Sequence, residues 1–247
     1  MPTDDPLQCI VQSTYPNLAS HVANKTYFSD RAILCPTLAV VDDINNFMLK
    51  MLPGEEKVYL SADSVSKQDP TSNVIDDIHS VEFLNNITMS GLPNHMLHLK
   101  VGAPIMLMRN IDKSIGLCNG TRLIVTRLEK HVIGCEILTG THHNHQVLIP
   151  RMTITPSNSS YPFTLCRRQF PIMLSFAMTI NKSQGQSLST VGLYLPQPVF
   201  THGHLYVAVS RVRHKDGLKI LILDSDGTPT HKTNNVVYKE VFYNIPT

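Results

Sequence analysis

The stretch from Phe170 to Val212 holds the side chains best suited to handling phosphate. The apolar run FPIMLSFAM leads into Thr179, Asn181, Lys182 and Ser183, two hydroxyls, an amide and an ammonium on a turn that contains Gly185. Such a set can hold successive phosphates of one strand, the lysine acting as a sequence-independent charge contact. An ordinary polar turn has the same composition. Further on, Leu205, Ala208, Val209 and Val212 fall at i, i+3, i+4 and i+7, the spacing of a helix with one apolar stripe, and Arg211 stands at the edge of that stripe. A guanidinium there either serves the carbonyl end of its own helix and a surface carboxylate, or reaches out to a phosphate presented from elsewhere.

The elements that must position these groups can be traced along the chain. RAILCP (Arg31 to Pro36) reads as a short buried strand, with Thr37 as the N-cap of a helix whose apolar positions are Val40, Ile44, Phe47, Met48 and Met51. Asp42 and Asp43 suit its first turn, and Pro53-Gly54 stops it. KVYLSAD returns as a strand, so the strand, helix, strand order predicts a parallel sheet covered by helices. Residues 64–80 are a polar loop. From Glu82 the pattern changes to short strands between turns: TRLIVTRL and HVIGCEIL flank Glu129-Lys130, and Asn119-Gly120 precedes them as a tight-turn signal. This spacing predicts a small β-barrel. The chain is expected to rejoin the larger sheet near VLIPRM (Val147 to Met152), to pass a loop at Thr155 to Pro162, and to add a last buried strand, LKILIL (Leu218 to Leu223). The resulting organisation is a connector at 1–28, an α/β domain at 29–80 and 150–227, an inserted barrel at 81–149 and a tail at 228–247, where VVYKEVFYNI could fold back onto the core.

Composition narrows the possibilities. In 247 residues, 42% are hydrophobic and 16% charged, which is a globular balance, and the net charge of +2 excludes neither nucleic acid nor protein as a partner. Five widely spaced cysteines with no C-x-x-C pair suit a reduced intracellular protein. No apolar run approaches ~18 residues and MPTDDPLQCIV is not a signal sequence, so neither export nor a membrane span is expected. His142, His143 and His145 have no neighbouring cysteine or carboxylate to complete a metal site, and Asp224-x-Asp226-Gly227 places its glycine too early for a calcium loop. Arg109, Arg122, Arg127 and Arg151 could line a strand channel on the barrel. No repeat and no signal for self-association is present.

AMTINKSQGQSL and HGHLYVAVSRV resemble the last two signature motifs of the petite-integration-frequency (PIF-type) DNA helicases of superfamily one, including the related helicases of Helitron transposons. RAILCPTLAVVDDINNFML, SGLPNHMLHLKVGAPIMLMRNID, GLCNGTRLIVTRL and VLIPRM resemble further family segments in family order, so the likeness covers roughly residues 30–224. It implies an α/β fold in which a RecA-like parallel sheet with helices on both faces is interrupted by a small β-barrel insert of the Src-homology kind. It also implies ATP-driven, 5′ to 3′ unwinding of DNA in the nucleus. In that setting Arg211 is an arginine finger, Thr37, Thr179, Asn181, Lys182 and Ser183 contact single-stranded DNA, and Gly185 and Ser187 face the nucleotide. Leu38, Asn181 and His204 depart from the Asn, His and Gln common at those places, and restoring Asn at 38 or Gln at 204 tests whether they weaken activity. The sequence has no Gly-Lys pair, hence no G-x-x-x-x-G-K-[ST] loop, and no paired acids after an apolar strand for Mg²⁺. The expectation is therefore the carboxyl-terminal half of a motor, whose ATP and Mg²⁺ are held mainly by an amino-terminal RecA-like domain, with no ATP hydrolysis alone. The competing expectation is a noncatalytic module that binds single-stranded nucleic acid, or a transposon-derived remnant.

Overall fold

The computed structural model describes residues 5–22, 24–66, 80–156, 161–238 and 240. The chain divides into two compact units, Met1–Met51 with Phe176–Thr247, and Leu52–Ser175.

The first unit is built on a sheet in which Ala177–Thr179, Arg31–Cys35, Thr190–Leu195 and Leu218–Leu223 lie side by side and parallel, and Pro229–Thr230 adds an antiparallel edge. Ala32 to Cys35 and Val191 to Leu195 are buried without a break, as expected for parallel strands covered on both faces. Helix Leu38–Met51 begins where the Thr37 carbonyl accepts the Val41 N–H at 3.3 Å. It buries Val41, Ile44, Asn45, Met48 and Leu49. Asn45 is polar in the middle of that face because it closes the edge of the sheet. Its Nδ2 donates to the Ala177 carbonyl at 3.2 Å and its Oδ1 accepts the Ala177 N–H at 2.9 Å, which satisfies an edge strand that has no further neighbour among the described residues.

Residues 6–29 form helices Pro6–Thr14, Leu18–His21 and Lys25–Ser29, not the connector expected from their irregular composition. Asp5 caps the first helix and Ile10, Val11 and Thr14 are buried on the sheet. The approach is so close that a Cβ at Gly192 would strike the Thr14 hydroxyl. Tyr15 donates its hydroxyl to the Phe176 carbonyl at 2.7 Å. LKILIL pairs as a strand but is not buried: Lys219 and Ile220 are exposed. Of the tail, Tyr238 stacks on His202 with ring centroids 5.5 Å apart, while Lys239 and 241–245 of the VVYKEVFYNI stretch lie outside the described residues.

In the second unit every pairing among the described residues is antiparallel. KVYLSAD does not extend the parallel sheet: Lys57–Leu60 pairs with Met96–Leu99, and Ala62–Val65 pairs with Leu165–Gln169. Alternation explains this, since Tyr59 is buried while Val58 and Leu60 are exposed, the signature of a ribbon with one wet face. VLIPRM likewise stays in this unit, as Gln146–Pro150 and Met152–Ile154. The largest sheet runs Ile172–Leu174, Pro104–Leu107, Arg122–Leu128, Val132–Ile137, Gln146–Pro150, and its pairings do not close into a ring among the described residues. Its inner face, with Tyr59, Leu97, Leu99 and Phe170, makes one core. A second, smaller core under helix Val81–Asn86 contains Val65, Leu84, Ile87, Leu92, Ile154, Phe163 and Leu165.

Candidate functional site

The candidate site belongs to the first unit. Cys35 and Thr179 are register partners at the carboxyl ends of adjacent parallel strands, so Thr37, two residues further on, and Thr179 stand at the same sheet edge. The carboxyl edge is where open α/β sheets take ligands. Burial raises the Cys35 thiol above its usual range, so it is not a nucleophile there.

From this edge the chain enters the 3₁₀ turn Ile180–Ser183, which Thr179 caps by accepting the Lys182 N–H on its hydroxyl at 3.4 Å. Asn181 is exposed and Lys182 half-buried. Ser183 differs from expectation: it is wholly buried and its hydroxyl donates to the Ile180 carbonyl at 2.6 Å, so it braces the turn from inside and does not meet a strand directly. Gly185 has φ of 77°, and the space a Cβ would occupy is open. Only a residue without a side chain takes that conformation freely, which leaves backbone and the exposed Ser187 at the surface.

Arg211 lies beyond the other end of this loop. Helix His204–Val209 is short, and Arg211 follows its C-cap, Ser210. The loop and the arginine segment are zipped together: the Leu188 N–H donates to the Arg211 carbonyl at 2.9 Å and the Arg213 N–H to the Leu188 carbonyl at 2.9 Å. The guanidinium is half-buried. Its Nε donates to the Val207 carbonyl at 2.9 Å, Nη1 to the Gln186 carbonyl at 3.2 Å and Nη2 to the Ser210 hydroxyl at 2.8 Å. Three of its five N–H groups are thereby fixed and two remain, with no carboxylate in an ion pair with it among the described residues. Gln186 also donates to the Lys182 carbonyl at 3.3 Å, so one residue links the turn to the arginine. Sequence reasoning missed Gln186 and Ser210 because their role is carried by contacts, one of them 25 residues apart in the chain.

The helix stripe is also shifted from the expected one. His204 and Ala208 are buried, whereas Leu205 and Val209 are half-buried. Neither His204 ring nitrogen has a hydrogen-bond partner, and burial lowers the pKa of the imidazole. Elsewhere, Arg122 is buried in the second unit and donates to the Ser175 carbonyl at 3.0 Å, while Arg127 is exposed beside Glu129. The four arginines expected to line one channel are thus not one row. His142 and His145 have rings 5.3 Å apart, but no group of three His, Cys, Asp or Glu able to hold a metal exists among the described residues. No helix among them is long and apolar enough to cross a membrane.

Residues 82–128 match the family described as DNA helicase Pif1, 2B domain. The chain is 32% identical over 191 residues to the ATP-dependent DNA helicase PIF1 of Xenopus laevis, covering 77% of this chain and 27% of that protein. It is 34% identical over 189 residues to the PIF1 of Rattus norvegicus, covering 74% and 26%. The Pif1 helicase from Bacteroides in complex with ADP-AlF3 and ssDNA superimposes with a TM-score of 0.60 at 22% identity, over 97% of this chain and 49% of that one. Pif1 helicase from Candida albicans gives 0.57 at 24%, over 92% and 55%. At these identities the solved structures speak to the fold alone, which is RecA-like. The chain spans about a quarter of the length of the curated relatives, 27% and 26%, and about half of the solved ones, 49% and 55%. The 2B match and the sequence identities support a Pif1-type DNA helicase, of which this chain corresponds to a part.

Proposed function

We propose that this chain is the second motor domain, with its insert, of an ATP-dependent 5′ to 3′ DNA helicase acting in the nucleus, and that Arg211 is its arginine finger. The observation that carries the reading is the state of Arg211: aimed by two backbone carbonyls and a hydroxyl, joined to no acid among the described residues, and left with two N–H groups for an anion. A guanidinium so held costs little reorganisation when charge develops on a phosphoryl group presented by an amino-terminal RecA-like domain. ATP supplies that phosphoryl group, and the accompanying Mg²⁺ is assigned to the other domain, since the sequence here has no Gly-Lys pair. Gly185 and Ser187 offer backbone and hydroxyl to the nucleotide. Thr37, Thr179, Asn181 and Lys182 form the part of the single-stranded DNA track at the carboxyl edge, with Ser183 bracing it. Because Gln186 touches both Lys182 and Arg211, a shift of the guanidinium on nucleotide binding moves the strand-holding turn, the coupling that translocation needs.

The test has two arms. The chain alone is expected to show no ATP hydrolysis, and activity stimulated by single-stranded DNA is expected once an amino-terminal motor domain of the family is fused to it. Hydrolysis by the isolated chain, abolished by Arg211→Ala, sinks the reading. The second reading is a noncatalytic single-strand-binding module, for which the exposed Asn181 and half-buried Lys182 on the turn at the carboxyl edge would serve. It is supported if the fusion binds single-stranded DNA with salt dependence, about −0.7 in log–log slope per phosphate contact, yet never turns over ATP.

A further inference from the structure

The second unit carries a cationic face that the motor reading leaves unused. In the sheet formed by Ala62–Val65, Leu165–Gln169 and Met152–Ile154, side chains alternate between two faces. Val65, Leu165, Arg167 and Ile154 point inward and are buried, and Asp63 points inward with them. The register pairs Cys166 with Ser64, and Arg168 with both Ala62 and Thr153, so these five share the outward face. Ser64, Thr153 and Arg168 are exposed. The one acid in the three strands, Asp63, is on the other face, bound to Arg167 at 2.7 Å. The Arg168 side chain makes no hydrogen bond or ion pair among the described residues.

A second arginine, Arg151, stands two residues before Thr153, the register partner of Arg168. Arg151 donates to the Leu60 carbonyl at 2.7 Å and to Gln169 Oε1 at 3.2 Å, and lies over the Phe170 ring at 4.8 Å. Burial lowers its pKa, Tyr59 opposes that shift, and the charge of Arg168 adds to it. Both charges add positive potential to a face whose strands offer no carboxylate, which favours an anion there. The exposed Thr153 lies directly across from Arg168 on one neighbouring strand, about 5 Å away, and the exposed Ser64 stands diagonally from it on the other, about 7–8 Å away. That is the donor set of a phosphodiester contact, and no aromatic ring among the outward residues offers a base a stacking surface.

We propose that this face grips the phosphodiester backbone of a nucleic-acid strand, with Arg168 as its anchor, Arg151 as supporting charge, and the Ser64 and Thr153 hydroxyls donating to successive phosphates on either side of it. The inference rests on the reading of the chain as part of a nucleic-acid motor and adds a contact, independent of sequence, on the unit that does not contain Arg211.

Fluorescence anisotropy of a labelled oligo-dT strand against the whole chain tests it, at about 50 and about 200 mM salt. Arg168→Glu is expected to bind about tenfold more weakly at the lower salt, with a log–log salt slope shallower by about 0.7, and Arg168→Lys to keep most of the affinity. Because Arg168 is exposed, the unfolding midpoint should not move, and Arg168→Gln provides a milder variant if the acidic one unfolds. Unchanged affinity and slope in both overturn the proposal. Lys182→Ala separates it from the motor reading. Weakening by Lys182→Ala alone leaves the carboxyl-edge track and removes this face; weakening by the Arg168 variants alone keeps this face and removes the track; a wild-type chain that does not bind removes both.

Discussion

Arg167 and Arg211 solve opposite problems with the same side chain. Arg167, in the antiparallel unit, is fully buried and uses all its donors: Nε and Nη2 on Asp63, Nη1 on the carbonyls of Ile87 and Pro93, and Nη2 again on Leu84 and Asn85. It binds the last turn of helix Val81–Asn86 and the loop to Pro93 onto the sheet, and nothing of it remains for a ligand. Arg211, in the parallel unit, is held firmly enough to point but keeps two donors and meets no acid among the described residues. A buried pair serves architecture through the cost of breaking it, whereas an aimed and incompletely satisfied cation is ready for a charge it does not yet have.

Substitution should separate the two sharply. In the fusion with an amino-terminal motor domain, Arg211→Ala is expected to lower kcat for ATP about 10³- to 10⁵-fold, about 4–7 kcal/mol in barrier, with little change in the urea midpoint. Arg167→Ala should do the reverse on the protein itself, costing about 3–5 kcal/mol of stability by stranding Asp63. The pair Arg167→Met with Asp63→Leu should recover most of that loss in urea unfolding. An Arg211→Ala chain that unfolds like Arg167→Ala, while the fusion keeps its turnover, would erase the contrast. A smaller effect probes the parallel unit's own scaffold: Asn45→Ala leaves both Ala177 backbone groups unpaired and is expected to cost about 2 kcal/mol, with faster amide exchange confined to the Ala177–Thr179 edge.

The same contrast explains what the sequence could and could not disclose. Ala32 to Cys35 is an unbroken apolar run, so the place of RAILC in a parallel sheet was readable. KVYLSAD was misassigned by element order, although its alternation, Tyr59 in and its neighbours out, already pointed to an antiparallel ribbon. The periodicity of helix Leu38–Met51 was legible, but the buried stripe is turned by about one residue from the apolar one because Asn45 belongs to it, and a polar core residue cannot be recognised before its edge-strand partner is known. The short helices at the start of the chain escaped notice since none is long enough to show a period. LCRRQF must send Arg167 and Arg168 to opposite faces, yet the sequence does not say which goes inward; that is decided by Asp63, far away in the chain. The role proposed for Arg211 comes from family resemblance, and its three anchors could not be foreseen because they are contacts and not spacings. Ser183 shows the limit of that route: it fits the motif by type but faces inward.

The finest test of the parallel unit concerns His204, which lies seven positions before Arg211. Its ring is buried edge-on to Phe200, with centroids 5.1 Å apart and neither nitrogen paired, so the folded state favours the neutral imidazole. Burial lowers the folded pKa below the ordinary value. Below that ordinary value, about 6.5, the unfolded chain binds a proton that the folded chain refuses. Stability contributed by this site is therefore complete above about pH 6.5 and falls as the pH drops toward the folded pKa. His204→Leu removes the proton and keeps an apolar filling, so the stability gap between variant and wild type should widen in the variant's favour from about pH 7.5 to about pH 5.5, a modest effect read from paired urea curves. A gap that stays constant would mean that the imidazole finds a partner on protonation, and that the helix leading to Arg211 is more open than its packing implies.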